Sequence, residues 1–245
     1  MSILPCIEIQ SLTKRYSTAT VDTLQGIDLT INQGDKFGIL GPNGAGKTTL
    51  ISILCGILEP SEGAVHYSQH QEALPTNSIG FVPQEYSFFE ELNPMQNLEY
   101  FGAMYGLTAK VIKERTQSIL TVLGLGDVQT KKINTFSGGM KRRVNLAIGI
   151  IHQPSILFLD EPTVGVDVQS KVAILKFLNQ LNTTGTTIIY TSHHLDEAQE
   201  FCNQIALIDQ GKIIIKGATE DLLTNHSAKD LKELFIQFTG EAYRD

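Results

Sequence analysis

The stretch KFGILGPNGAGKTT, residues 36–49, sets the fold of this 245-residue chain. A short apolar run leads into a loop that contains three glycines, and an apolar segment of helical character, TTLISILCGIL, follows. The pattern G-x-x-x-x-G-K-[ST] between a strand and a helix lets backbone N–H groups surround phosphate oxygens, and the positive end of the helix adds to the attraction. The stretch therefore predicts a phosphate-binding loop; the alternative is a glycine loop that matches by chance.

Two side chains of this loop have expected chemical roles. Lys47 places a point charge at the β and γ phosphates of a nucleotide, and Thr48 offers a hydroxyl to Mg²⁺. We therefore expect a nucleotide with β and γ phosphates, together with Mg²⁺. The predicted nucleotide-binding residues of the loop are Gly41, Pro42, Asn43, Gly44, Ala45, Gly46, Lys47, Thr48 and Thr49.

A second apolar run, SILFLDEPT, ends in two carboxylates, Asp160 and Glu161. Carboxylates at the end of a buried strand are costly unless a cation or a reacting water lies beside them. We predict that Asp160 belongs to the shell of Mg²⁺ and that Glu161 lies next to the attacking water, as general base or as a residue that orients it. Alternatively, the pair caps the helix that follows.

Strand and helix patterns alternate along the chain, which predicts an α/β fold with helices on both sides of a sheet. The interval from Glu85 to Thr135 shows no strand pattern but a helical pattern from Gln96 to Leu123, and QHQEALPTN is a polar loop. The segment LKELFIQF predicts a terminal helix that ends near Gly240. We predict a single domain over residues 1–245, with a core plus β lobe at 1–84 and 152–226, a helical lobe at 85–151 and a C-terminal helix at 227–245. The predicted strands are CIEIQSL, GIDLTI, KFGIL, SIGFVP, SILFLD, TTIIYT and QIALID.

Composition excludes several classes of protein. The net charge of -7 comes without a basic stripe, which argues against a nucleic-acid partner, and we interpret the KKI and MKRR clusters as solvated helix faces. Three widely spaced cysteines indicate buried thiols rather than a disulfide. The chain shows neither the pattern of a signal peptide nor an apolar run long enough for a membrane span, so we expect it to be cytosolic.

Six motifs in order resemble the ATP-binding subunit of an ABC transporter: GPNGAGKTT, Gln84 in FVPQ, FSGGM, ILFLDEPT, VGVD and TSHH. The resemblance covers nearly the whole chain. It implies a RecA-like P-loop NTPase core, an N-terminal antiparallel β lobe and an inserted helical signature lobe. It also implies an ATPase.

The resemblance further implies that two subunits, expected to be identical, share each nucleotide. The tripeptide Ser137, Gly138 and Gly139 would face the γ-phosphate held by the other subunit, and Asp167 would cross the interface. The signature departs from the commonest form, LSGGQ, at Phe136 and Met140. We favour plain packing for Met140, and Asp167 could also serve as the N-cap of the following helix.

The remaining site residues are also implied by the resemblance. Tyr16 would stack on adenine, Gln84 would reach Mg²⁺ or the water, and His193 rather than His194 would contact the γ-phosphate. Tyr16 could instead be an ordinary core or surface residue, Gln84 could be loop surface, and His193 could simply be satisfied by hydrogen bonds. The predicted catalytic residues are Glu161, His193, Lys47 and Gln84, and the predicted Mg²⁺ ligands are Thr48, Gln84 and Asp160.

A finer resemblance, to bacterial exporters of the drug, antibiotic-resistance, polysaccharide and gliding-motility type, rests on FSGGMKRR, on GVD in place of ALD and on the tail LKELFIQFTGEAYRD. It implies integral membrane permease subunits as partners and a peripheral position on the inner face of the membrane. The aromatic and methionine-rich residues 88–107 suit a docking groove for a permease helix, although they could equally pack the core of the lobe. An importer ATPase, a soluble ABC-type ATPase outside transport and a P-loop kinase are the alternatives.

Overall fold

The computed structural model describes residues 5–17, 20–67 and 78–240, and the chain divides into two compact units. Unit 1 comprises Met1–Pro75 and Thr187–Asp245, and unit 2 comprises Thr76–Thr186. The predicted helical lobe, residues 85–151, falls inside unit 2. The predicted polar loop QHQEALPTN lies outside the described residues.

The first sheet of unit 1 is antiparallel, as predicted for the N-terminal lobe. It consists of β1 (Pro5–Lys14), β2 (Leu24–Asn32) and β4 (Glu62–Tyr67), in the order β2-β1-β4. Alternate side chains of β2, among them Leu29 and Ile31, are buried while their neighbours are not, so this strand presents one face to the core.

The second sheet of unit 1 leads into the predicted phosphate loop. Its strands β3 (Lys36–Leu40), β7 (Thr187–Ser192) and β8 (Gln204–Asp209) are parallel, and β9 (Lys212–Ala218) pairs antiparallel with β8. In this unit the order is β7-β3-β8-β9. Every residue of β7 is buried, as expected for a parallel strand covered on both faces. The helices are α1 (Lys47–Leu54), α6 (Leu195–Phe201), α7 (Thr219–Asn225) and α8 (Leu231–Thr239).

Unit 2 holds two parallel strands, β5 (Ile79–Val82) and β6 (Ile156–Asp160), and four helices. No strand occurs between residues 85 and 135, as predicted. The helices are α2 (Pro94–Met104), α3 (Ala109–Val122), α4 (Gly138–Ile150) and α5 (Val168–Thr183), with 3-10 turns at Gly126–Val128 and Ile133–Thr135. Helix α2 begins with a capping box, in which Asn93 and Gln96 exchange hydrogen bonds, and with a proline in its first turn.

The structure refines several sequence assignments. The helical segment predicted from Gln96 to Leu123 is two helices, because Gly106 has a positive φ of 74° and Thr108 caps a new helix. Strands β4 and β9 and helix α7 were not predicted. Helix α8 ends at Gly240, which adopts the left-handed conformation, close to the predicted position. The three cysteines form no disulfide, and burial raises the pKa of the Cys6 thiol to about 11.

Candidate nucleotide-binding site

The phosphate loop, residues 41–48, begins directly after β3, and its glycines are required by close backbone packing. The Gly41 N–H donates to the carbonyl of Ser192 at the end of β7, at 3.3 Å, and a Cβ at Gly41 would overlap the carbonyl oxygen of Ile208. At Gly46, φ is 105° and a Cβ would lie 2.9 Å from the carbonyl oxygen of Thr23. These positions therefore admit no side chain, and the loop stays narrow enough for its backbone to approach a ligand.

The side chain of Lys47 is held over this loop by backbone carbonyl groups of the loop. The Nζ atom donates to the carbonyl oxygens of Gly41 at 2.8 Å and Pro42 at 3.1 Å, and the side chain is buried. Thr48, the next residue, lies exposed in the first turn of α1. The loop therefore offers a cation, a hydroxyl and the positive end of a helix within a few residues, which is the chemistry that binds phosphate.

Two further predicted residues of unit 1 lie close to the loop. The Tyr16 hydroxyl is 3.2 Å from Oγ1 of Thr49, and 40% of the tyrosine is exposed, so its ring is available beside the helix that follows the loop. His193 comes immediately after Ser192, whose carbonyl accepts from Gly41. The next residue, His194, occupies the N-cap position of α6 instead. Unit 1 thus brings Tyr16, the phosphate loop and His193 together.

The two carboxylates of unit 2 are buried at the end of β6. Asp160 is 2% and Glu161 6% exposed. Glu161 has a φ of +49°, a conformation that costs free energy in a residue other than glycine and that is concentrated at functional sites. The next helix, α5, is capped by Asp167, so the alternative in which Asp160 and Glu161 cap it is wrong.

The signature tripeptide, residues 137–139, forms the N-terminus of α4. Ser137 is the N-cap, and its Oγ accepts from the Met140 N–H at 3.3 Å. Ser137 and Gly138 are exposed, whereas Gly139 is buried against Ser170 of α5. The tripeptide therefore presents backbone N–H groups at the end of a 13-residue helix.

Asp167 lies beside this tripeptide and serves as the N-cap of α5. Its Oδ1 accepts from the Ser170 N–H at 2.9 Å and its Oδ2 from the Ser170 hydroxyl at 2.8 Å. These hydrogen bonds lower the pKa of the Asp167 carboxyl below its usual range, and the bond from the backbone N–H of Ser170 has the larger effect. The capping role considered from the sequence is therefore present, and the carboxylate carries its charge at neutral pH.

Gln84 follows β5 with an exposed side chain, and its backbone is held by a residue that the sequence did not identify. Nη1 of Arg142 donates to the Gln84 carbonyl at 2.8 Å. The interpretation of MKRR as a solvated helix face is therefore wrong for Arg142, which is only 4% exposed. Asn145, one helical turn further, bonds to the same loop.

The proposed ligands of Mg²⁺ carry oxygen donors only: a hydroxyl at Thr48, a carboxylate at Asp160 and an amide oxygen at Gln84. This is the donor set that Mg²⁺ prefers, and Mg²⁺ commonly completes its shell with water and substrate phosphate. Among residues 5–17, 20–67 and 78–240, no group of three or more His, Cys, Asp or Glu side chains is arranged to hold a metal ion by itself. The donors thus fit a metal that is bound together with a nucleotide.

Known proteins resemble this chain over most of its length. The family described as "ABC transporter" matches residues 24–164. The linearmycin resistance ATP-binding protein LnrL of Bacillus subtilis is 39% identical over 97% of this chain and 77% of its own length. A Nod factor export ATP-binding protein of Ralstonia nicotianae is 34% identical over 94% of this chain and 73% of its own.

Solved structures show the same fold. The structure of an ATP-binding subunit of an ABC transporter superposes with a TM-score of 0.85, covering 96% of this chain and 99% of that one, at 24% identity. The predicted fold class is therefore confirmed. No helix in the described part of the chain has the length and apolar character needed to cross a membrane.

Proposed function

Because this chain belongs to the ABC transporter family as an ATP-hydrolysing subunit, we propose that two copies of it close around two ATP molecules and drive separate membrane permease subunits to export a solute. Each ATP lies between the phosphate loop of one copy and the signature tripeptide of the other. Binding of two nucleotides joins the copies, and hydrolysis releases them.

The observation that carries this proposal is the exposed N-terminus of α4. Ser137 caps the helix with Oγ as an acceptor, so its hydroxyl hydrogen is still available as a donor. The exposed Gly138 adds a backbone N–H without a side chain in front of it. An accessible helix N-terminus with these donors suits the phosphate of a partner's nucleotide.

Hydrolysis uses the site residues predicted from the sequence. Lys47 and the loop amides hold the β and γ phosphates. Thr48, Asp160 and Gln84 would hold Mg²⁺, and the bound ion would neutralise charge on the transferred phosphoryl group. Glu161 orients or deprotonates the attacking water, and His193 contacts the γ-phosphate. Tyr16 stacks on adenine, and Asp167 reaches across the dimer interface.

Outward transport is supported by the relatives, whose names describe antibiotic resistance and Nod factor export. Unit 2 offers a surface for the permease: Phe89, Tyr100 and Met104 are exposed, and a groove of about 920 Å³ lies between α2 and α3. Leu98 of the same segment is fully buried, so only part of residues 88–107 packs the lobe. The chain is peripheral on the inner face of the membrane, attached through this surface.

A mixing experiment tests the shared site. Lys47→Ala removes the phosphate-binding cation but keeps the signature tripeptide, and Ser137→Asp keeps the phosphate loop but places a negative charge where the partner's phosphate is proposed to bind. Each variant alone should be inactive. Their mixture contains dimers with one intact composite site, so phosphate release should reappear on mixing. Failure to recover activity, with mixed dimers demonstrated by cross-linking, would contradict the shared site.

A further inference from the structure

The loop that carries Gln84, residues 83–87, is fastened to helix α4 by two side chains one turn apart. Nη1 of Arg142 donates to the carbonyl oxygens of Pro83 at 3.2 Å and Gln84 at 2.8 Å. Nδ2 of Asn145 donates to the Pro83 carbonyl at 3.1 Å, and its Oδ1 accepts from the Ser87 N–H at 3.0 Å. The backbone on both sides of Gln84 is therefore bound to one helix face, while the Gln84 side chain stays exposed.

Tyr86 of this loop makes a second connection, which leads to the signature tripeptide. The guanidinium of Arg142 lies 5.2 Å from the centre of the Tyr86 ring. The Tyr86 hydroxyl donates to the carbonyl oxygen of Gly138 at 3.3 Å. The loop thus contacts both the first residue of α4 and the arginine one turn into it.

The charge of Arg142 is costly at this buried position, so the residue does more than pack. Burial lowers the pKa of its guanidinium, and Tyr86, Asp160 and Glu161 act in the opposite direction. Its Nε is buried without a hydrogen-bond partner. A buried charge with an unused donor is costly, and an apolar side chain of the same length would pack without that cost. The hydrogen bonds to the loop carbonyls are what an apolar residue could not supply.

We propose that Arg142 is a positioning residue that holds the Gln84 loop on α4, so that Gln84 and the signature tripeptide move together. This inference rests on the proposed function for the roles of Gln84 and Ser137. When a partner's nucleotide binds at the tripeptide, α4 carries the loop with it and sets the position of Gln84 relative to Mg²⁺ and water. A displacement of the loop by a permease reaches the tripeptide by the same contacts.

Amide hydrogen exchange tests the attachment without any assay of function. In the full chain, Arg142→Met should speed exchange of the amides in residues 84–87 by about tenfold or more, because the loop carbonyls lose their donor. Arg143→Met is the matched control, since Arg143 bonds instead to the carbonyls of Gly139 and Leu123. It should leave exchange in residues 84–87 unchanged. Equal exchange in the two variants would overturn the proposal.

ATP hydrolysis tests the coupling. Arg142→Met should lower kcat about tenfold and leave KM for ATP unchanged, because the phosphate loop is not altered. In a Gln84→Ala background, Arg142→Met should lower kcat little further, because the two residues act as a unit. If their roles were independent, the two fold-losses in kcat would multiply. Arg142→Lys, which keeps the charge and can donate to the same carbonyls, should restore most of the activity.

The outcomes separate this inference from the function on which it rests. Losses that multiply in the double variant, or equal activity of the lysine and methionine variants, would overturn the coupling through Gln84. Wild-type turnover in Gln84→Ala alone would contradict both the role of Gln84 and the coupling to hydrolysis. The exchange measurement would then still decide whether Arg142 holds the loop.

Discussion

Gly139 packs directly against Ser170: a Cβ on the glycine would overlap Oγ of the serine and lie 2.8 Å from Oδ2 of Asp167. At the neighbouring Gly138, the nearest atom to such a Cβ is the Gly165 carbonyl oxygen, 3.4 Å away, an ordinary contact. The absence of a side chain therefore matters for different reasons at the two signature glycines. Gly139 leaves room for Ser170 and Asp167 of the same chain, whereas Gly138 is exposed.

The first prediction separates these reasons by alanine substitution. Gly139→Ala should destabilise the monomer and lower its melting temperature, because α4 and α5 must separate to admit a methyl group. Gly138→Ala should leave the melting temperature of the monomer near that of the wild type. It should nevertheless reduce hydrolysis, which requires the partner's phosphate to approach the backbone. Scanning calorimetry and a phosphate-release assay make the comparison, and a Gly138→Ala protein with full activity would contradict the role given to that residue.

Ser137 has two roles that substitutions can separate. Ser137→Ala should lose the N-cap, at about 1 kcal/mol of unfolding free energy, and should also slow hydrolysis. Ser137→Asp keeps an acceptor for the Met140 N–H, so its stability should stay near the wild type while its hydrolysis is lost. Neither variant should change the ATP affinity of the isolated monomer. A tenfold loss of that affinity would show that Ser137 does not act on the partner's nucleotide.

Lys47 should dominate the binding of phosphate. Lys47→Ala removes charge-assisted hydrogen bonds worth about 1.5–3 kcal/mol, so ATP should bind roughly ten- to hundredfold more weakly, and hydrolysis should stop. Lys216→Ala is a suitable control, because this exposed lysine of β9 bonds to the Asp28 carbonyl instead. Titration calorimetry measures both variants. Unchanged ATP affinity in Lys47→Ala would contradict the proposed phosphate site.

Stability should fall at acid pH through His152. Its ring stacks on Tyr105 with a centroid distance of 3.7 Å, and its Nε2 lies 2.8 Å from the Ile79 carbonyl. Burial lowers the pKa of His152 from its ordinary 6.5, and the charge of Arg115 contributes in the same direction. The unfolded chain then binds more protons than the folded one, so this histidine contributes stability above pH 6.5 that is lost as the pH falls toward the lowered value.

Urea unfolding of the wild type and His152→Gln at a series of pH values measures this effect. Glutamine retains an N–H donor for the Ile79 carbonyl but does not titrate. The free energy of unfolding should therefore fall less steeply below pH 6.5 in the variant than in the wild type. Parallel curves would show that another group controls the acid dependence.

The sequence predicted those features whose physical cause is local. The strand, the glycine-containing turn and the helix of residues 36–54 could be predicted because the close approaches at Gly41 and Gly46 demand glycine at fixed spacing. The break between α2 and α3 was a weaker signal. Gly106 ends one helix and Thr108 starts the next within three residues, so hydrophobic periodicity alone predicted one continuous helix. Strand β4 has a single buried residue, Tyr67, so its sequence shows little of the alternation that marks a strand.

Features that depend on distant parts of the chain could not be predicted. Arg142 looked like one of three solvated basic residues, because its partners Pro83 and Gln84 precede it by 59 and 58 positions. The packing of Gly139 on Ser170 depends likewise on how α4 and α5 meet. The conformation of Glu161, with its positive φ, is imposed by the surrounding structure rather than by the residue type.

The most direct test of the shared two-nucleotide site uses the Glu161→Gln variant, in which ATP should bind but not turn over. Its mass in solution is measured by light scattering with and without ATP and Mg²⁺, and Ser137→Asp in the same background is the matched control. We predict a monomer that becomes a dimer only with ATP, and a control that stays monomeric. A Glu161→Gln protein that hydrolyses ATP repeatedly, or one that dimerises equally well with Ser137→Asp, would contradict it.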